Sequence, residues 1–415
     1  MQTPTRIAWD AADCRTPDAA RAGMAWWGVV ALFLVHGLVV STWVSRIAAV
    51  KSGLGLRDGS FGLALFGSAV GAVSAIPLSG WAIRRYGSKK TFLWTGTGFC
   101  VSLVLLAFAS NLFSLSVALI AYGAMTGAND VAINAQAVSI EKLLGKPSMS
   151  RFHAMFSLGG IFGAVAGGFV AAQGIVPAIH FVVAASLILI GIVFTAPLIL
   201  DVRERTGEET GSGPKRAGFV RPPAVLVALS IIGFCIFLSE GAIADWTAIY
   251  IRQVLNAGEG IAAGGYAAFS AAMTVFRFSG DALTARMGPA WVIRMGGLVA
   301  AGGLTLVVSA DSAFTAIAGF ALTGAGFSSI IPVVFAAGGR ISSVGESAGI
   351  AMVSGIGYLG FLVGPPMIGF VSEIFSLRVA LSLLVVLSAA AALLVTVVQR
   401  GHNSPLAETR SNDIG

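Results

Sequence analysis

"AMFSLGGIFGAVAG" (residues 154–167) and "AMVSGIGYLGFLVG" (residues 351–364) align without a gap at an offset of 197 residues. Ala154/Ala351, Met155/Met352, Ser157/Ser354, Gly160/Gly357, Gly163/Gly360 and Gly167/Gly364 are identical pairs. The same offset aligns "AMTGA" (124–128) with "ALTGA" (321–325). Two ungapped matches at one spacing point to an internal duplication, and what each copy contains follows from the chain around them.

That chain has 415 residues, of which 56% are hydrophobic and only 11% charged, with a mean hydropathy of +0.87. A soluble protein keeps roughly a quarter of its residues charged. Apolar runs of membrane-spanning length, about 20 residues, recur throughout. Twelve spans are expected at 24–47, 59–83, 91–109, 113–141, 153–173, 177–199, 224–251, 261–284, 290–308, 313–338, 347–372 and 376–398. The matched segments fall in the fourth and tenth spans and in the fifth and eleventh. Spans six apart run in the same direction, so the expected fold is all-α and polytopic, with twelve transmembrane helices in two parallel six-helix repeats. The 53 glycines suit close helix packing in lipid.

The widest polar interval, "DVRERTGEETGSGPKRAGFVR" (201–221), ends at Pro222-Pro223 and reads as a linker. The expected divisions are an N-terminal segment 1–23, a first bundle 24–199, a linker 200–223, a second bundle 224–399 and a tail 400–415. With the N-terminus inside, cytoplasmic segments hold 20 of the 26 basic residues, among them Arg84, Arg85, Lys89 and Lys90 in one loop and Arg203 and Arg205 in the linker. Outer loops hold five: Arg46, Lys51, Arg57, Arg252 and Arg378. That bias places both termini in the cytoplasm. The net charge of +7 is spread over short loops, which argues against nucleic acid as a partner. Cys14, Cys100 and Cys235 offer no disulfide framework, and residues 1–23 lack a signal-peptide apolar core.

Ionised groups at membrane depth cost about 2.5–3.5 kcal/mol on insertion scales and tend to line cavities, pair or protonate. Asp130 and Asn134 lie four apart on one face of the fourth span, with Glu141 on the same stripe at the inner boundary. At the repeat offset Asp130 and Asn134 correspond to Phe327 and Ile331, so the scaffold does not demand polarity there. Glu240, in "LSEGAIADWTAIYI" (238–251), sits near the midpoint of the seventh span without a local partner. Asp245 lies about 7–8 Å further out and about 140° around the helix, so the two acids form no dyad. Asp130 and Glu240 are the candidate proton-coupling acids. Asp245 is a candidate gate, in line with Arg252 and open to Arg46 from a neighbouring helix. His36, Asn134, Trp43, Trp246 and Tyr358 are candidate substrate contacts; the structural alternatives are core packing for His36, a hydrogen bond to a neighbouring helix for Asn134 and an interfacial belt for the aromatics. No phosphate loop, metal-ligand cluster or nucleophilic triad is apparent, so neither an enzyme nor a cofactor is expected.

The twelve spans, parallel repeats and basic linker resemble the major facilitator superfamily. "GWAIRRYGSKKT" (80–91) is similar to that family's signature between the second and third helices at Gly80, Arg85, Gly87, Lys89 and Lys90, although Arg84 stands where the signature has Asp. The eighth-span counterpart, "FRFSGDALTARMG", carries Asp281 four residues after Arg277. The resemblance implies that this region latches the halves on the cytoplasmic side, with Arg85, Arg277 and Asp281 as candidate gating residues. "FCIFLSEGAIADWTAIYI", "FHAMFSLGGIFGAVAGG" (containing His153) and "GANDVAINA" resemble the seventh, fifth and fourth helices of the fucose-permease-like branch. That implies a monomeric transporter in a bacterial inner membrane. It would take up a small polar solute, sugar-like by resemblance, in symport with protons, by alternating access. Efflux of a drug or metabolite is the alternative, disfavoured by the lack of a Gly-Pro pair in the fifth span. A non-transporting sensor is a second, disfavoured by termini of only about 23 and 16 residues.

Overall fold

The computed structural model of the chain describes residues 19–144, 148–200, 222–341 and 346–402. The linker at 201–221, Cys14 and the tail beyond His402 lie outside the described residues. Thirteen α-helices appear in order among those residues: α1 (Ala19–Gly53), α2 (Asp58–Tyr86), α3 (Ser88–Ala107), α4 (Leu112–Leu144), α5 (Met149–Ala172), α6 (Pro177–Thr195), α7 (Ala224–Gln253), α8 (Glu259–Met287), α9 (Pro289–Ser309), α10 (Ala313–Phe327), α11 (Ile330–Gly339), α12 (Glu346–Ile374) and α13 (Leu377–His402). They make twelve helical stretches long and apolar enough to cross a membrane, α10 and α11 together forming the tenth. Helix α1 begins at Ala19, earlier than the sequence suggests: four of the seven residues at 19–25 are alanine, the strongest helix former, and no proline interrupts them.

The duplicated glycines explain why the two halves pack alike. Side chains cannot enter where two backbones cross closely, and glycine is the residue that permits such contact. In the first half, Gly163 of α5 lies against the Leu38 carbonyl and Ser41 of α1, and Gly127 of α4 against Ala72 of α2. In the second half, Gly360 of α12 lies against the Phe234 carbonyl of α7, and Gly324 of α10 against the Phe269 carbonyl of α8. The same pairs of residues therefore build the same two crossings twice. A Cβ on Gly360 would stand 2.5 Å from the Phe234 carbonyl oxygen, so Gly360→Leu is expected to cost about 1–3 kcal/mol through overpacking. It should appear as a lower thermal midpoint of the purified protein.

The repeat is broken in one place. Helix α4 runs unbroken for 33 residues, whereas its counterpart is interrupted at Ser328 and Ser329 between α10 and α11. Pro332 accounts for the break: it has no N–H to give the carbonyl four residues back, and its ring crowds that carbonyl. The residue four back is Ser328, and the repeat has Ala135 where this half has Pro332. Hydropathy predicts one continuous span over 313–338; Pro332 divides it.

The halves meet most closely at one end. There Gly62 of α2 faces the Pro365 carbonyl of α12, and Gly168 of α5 faces Gly260 of α8. This is the end where α1 finishes and α2 begins.

Candidate functional site: a charged cleft beneath a sealed end

At the sealed end, two polar clusters join the halves. In the first, Arg46 of α1 and Arg252 of α7 both reach Glu259 at the start of α8, at 3.5 and 3.4 Å. Arg46 also donates to the Ile175 carbonyl at 2.6 Å. In the second, Lys51 of α1 pairs with Asp58 at 2.7 Å, and Ser372 of α12 donates to the same Asp58 carboxylate. Glu373 of α12 pairs with Arg57 at 3.0 Å and accepts from the Gly59 N–H at 2.8 Å. Between these clusters Phe61 of α2 packs edge-on against Trp246 of α7. Each of these ion pairs and hydrogen bonds between the halves lies at this end.

These contacts correct the expected gate. Asp245 belongs to no ion pair among the described residues, and both arginines expected beside it pair instead with Glu259. The reason lies in the approach of helices: α8 enters beside α1 and places its first-turn acid between them. Sequence reasoning missed Glu259, Asp58 and Glu373. A signal existed in the first two, since each half opens its second helix with an acid in the first turn, where the helix dipole favours negative charge.

Below the seal, groups from opposite halves face each other without closing. Asp130 of α4 is exposed, and Tyr358 of α12, which is 46% exposed, lies within its electrostatic range. Arg277 of α8 is likewise exposed and lies within electrostatic range of His153 in α5 and Glu240 in α7. Asp130 with Tyr358, and Arg277 with His153, sense one another across the two halves, and these groups line a cleft between them. Counted from the helix ends opposite the seal at about 1.5 Å per residue, Arg277, Tyr358, Asp130 and Glu240 lie roughly 15–24 Å deep. They form one layer near the middle of the bilayer.

Local sequence sets each of these side chains. Asn134, one turn from Asp130, donates to the Asp130 carbonyl at 2.9 Å and its carboxylate at 3.2 Å. Tyr358 is stacked on Phe237 with ring centroids 5.2 Å apart, which fixes its rotamer toward the cleft. Arg277 is held by the break in the tenth span: its Nε donates to the Ser328 carbonyl at 3.1 Å, the acceptor that Pro332 leaves free. Its Nη2 also touches Met273 Sδ at 3.2 Å. Tyr266 of α8 lies within electrostatic range of both Glu240 and Asp245, so the two acids, on different faces of α7, address one phenol.

Three expected substrate contacts are placed elsewhere. His36 is 4% exposed, bonds Asn129 at 2.8 Å and packs on Phe99 and Phe156. Trp43 is 3% exposed between Tyr122 and Phe181. Trp246 is wholly buried in the seal. None of the three offers a free face, because each helix has more than one buried side and sequence position does not say which side meets the cleft. Glu141 serves its own corner of the fold, where its carboxylate accepts from the backbone N–H groups of Ser148 and Met149 and caps the start of α5. Arg85 is exposed beside the Tyr86 ring, and the Asp281 side chain lies outside the described residues.

The sequence profile of the Major Facilitator Superfamily matches residues 28–338. An uncharacterised MFS-type transporter of Yersinia pestis is 34% identical over 369 residues, covering 88% of this chain and 94% of the relative. The membrane protein MosC of Rhizobium meliloti is 30% identical over 355 residues, covering 84% of each chain. Among solved structures, the nucleoside transporter NupG superposes with a TM-score of 0.76 at 12% identity, covering 90% of this chain and 99% of that one. A bacterial homologue of the human lysosomal transporter Spinster, in an inward-facing and unoccupied conformation, superposes with a TM-score of 0.73 at 13% identity, covering 92% and 98%.

Proposed function

The chain belongs to the major facilitator superfamily, and from that membership we propose that it carries a small polar solute across the membrane together with protons. The two six-helix units, residues 24–199 and 224–399, rock about the layer of Asp130, Glu240, Arg277 and Tyr358, exposing it to one side at a time. The sealed end lies outside and the cleft opens to the cytoplasm, in keeping with the excess of Lys and Arg on the side of the termini. The bacterial relatives favour the inner membrane as its location.

The observation that carries the coupling is Glu240: a carboxyl group near mid-membrane whose charged neighbour is Arg277, with no ion pair inside 4 Å among the described residues. Removing a carboxyl group from water disfavours its charged form. A group so placed can take a proton on one side of the membrane and release it on the other. Asp130, exposed in the same cleft and bonded only to its helical neighbour Asn134 among the described residues, is the second candidate. The resemblance to the fucose-permease-like branch favours a sugar-like skeleton, and Tyr358 presents a ring on which such a skeleton could stack. Arg85 and Asp281 are the groups that would latch the halves when the open end closes, whereas Arg277, expected with them in the gate, belongs to the mid-membrane layer.

The experiment is flux in proteoliposomes under an imposed pH gradient, with a broad panel of sugars, sugar acids, organic acids and amines. Solute-dependent proton entry with at least one of them is expected. Absence of proton movement with every member overturns the reading.

A further inference from the structure

Arg277 is the exposed cation of the cleft, and the helix around it explains why it is not an anchor at the lipid surface. Its neighbours Val275, Phe276 and Phe278 are 65%, 50% and 73% exposed, as lipid-facing residues are. Arg277 instead turns toward Ser328 at the break in the tenth span and toward Glu240 and His153. A guanidinium has five N–H donors in a planar fork. The Ser328 carbonyl takes the one on Nε, and Met273 Sδ is a weak acceptor for one on Nη2. Nη1 has no partner among the described residues, and none of the described carboxylates lies within 4 Å of the group. An exposed cation at this depth, with most of its donors unfilled by protein groups, presents an open edge to the cleft.

We infer that the transported solute carries an anionic group, a carboxylate or its equivalent, which seats on the unfilled edge of the Arg277 guanidinium in the cleft. The inference rests on the proposed coupling by Glu240 and gives it a physical logic. In the empty carrier, ionised Glu240 and Arg277 compensate each other at a distance. When Glu240 takes a proton, Arg277 keeps an uncompensated charge and draws an anion, and the loaded carrier is again neutral overall. Proton and anion therefore favour each other's binding, which is the thermodynamic requirement for moving together. The other ionisable groups of the layer leave this arrangement room. His153 lies within electrostatic range of Arg277, Tyr266 within range of Glu240 and Asp245, and Asp130 within range of Tyr358. Planar bidentate capture of a carboxylate is what distinguishes arginine from lysine, so the geometry also predicts that lysine cannot substitute fully.

The test uses matched triplets of solutes that share a skeleton and differ in one group, beginning with glucose, glucuronate and glucosamine and extending to short organic acids with their alcohols and amines. Binding to the purified full chain is read as thermal stabilisation near pH 6. At least one carboxylate is expected to stabilise the protein while its neutral and amine counterparts do not. Arg277→Gln should weaken that binding by at least a hundredfold and Arg277→Lys by about tenfold, each read as the ligand-dependent shift above that variant's own ligand-free melting temperature. Failure of every carboxylate, or stronger binding by neutral or amine members, overturns the inference, as does undiminished carboxylate binding by Arg277→Gln. The outcomes also separate this inference from the coupling it rests on. Proton entry driven by a neutral solute leaves Glu240 as coupler and removes the anion site. Carboxylate binding through Arg277 without proton entry keeps the site and removes the coupling.

Discussion

Glu240→Gln is expected to abolish proton-driven accumulation while leaving solute exchange intact. One pH unit is worth about 1.4 kcal/mol, a tenfold concentration ratio for one proton per solute. Vesicles with the native protein should approach that ratio, and vesicles with Glu240→Gln should stay near unity. Exchange of labelled for unlabelled solute at equal pH needs no net proton movement, so it should persist. Glutamine resembles the neutral acid in size and hydrogen bonding and holds Arg277 in the state that accepts solute. Asp130→Asn provides the comparison, because Asp130 is on the other wall of the cleft and is not the group beside Arg277. Unimpaired accumulation by Glu240→Gln, with loss only in Asp130→Asn, would move the coupling to Asp130.

Glu259→Gln should unseal the outer end. Arg46 is only 2% exposed in the sealed conformation, and its Nε and Nη1 have no partner among the described residues, so Glu259 supplies most of its compensation. Removing one partner of a buried ion pair costs about 3–5 kcal/mol. Glu259 keeps 24% of its side-chain exposure, which puts the expected loss near the lower end, about 3 kcal/mol. That corresponds to roughly a hundredfold shift toward the outward-open conformation, since Arg46 regains water when the halves part there. Ala263, 1% exposed on α8 and set against Gly168 of α5 in the other half, is a suitable reporter. Labelling of Ala263→Cys by a membrane-impermeant thiol reagent from the outer side should speed up strongly when Glu259→Gln is added. Equal labelling rates in the two backgrounds would remove Glu259 from the seal. Asp245→Asn, by contrast, should leave the rate unchanged, because Asp245 holds no cation there.

The contrast between Glu259 and Asp245 shows where pattern alone misleads. Arg252 lies seven residues after Asp245, two helical turns on the same face, and that periodicity makes the pair look natural. Side chains on one helix face compete with those of neighbouring helices, and α8 brings a closer acid. His36 departs from expectation in the same manner. Its depth in the first span is legible in the sequence, but depth carries no information about azimuth, and Asn129 of a neighbouring helix claims it. Asp130 and Asn134 are legible because both sit on one helix, where a spacing of four fixes their contact.

The duplicated glycines, the length of the apolar runs and the distribution of Lys and Arg determined the fold from sequence: twelve helices, two parallel repeats and close crossings at repeated positions. These properties follow from local periodicity and from the cost of leaving backbone groups unpaired in lipid, both of which a sequence records directly. The identity of the cleft was decided by tertiary structure. Pro332 breaks the tenth span, the break leaves the Ser328 carbonyl free, and that carbonyl orients Arg277 toward Glu240 from another helix. No spacing along one helix encodes such an arrangement, because it depends on how three helices are rotated and packed against one another.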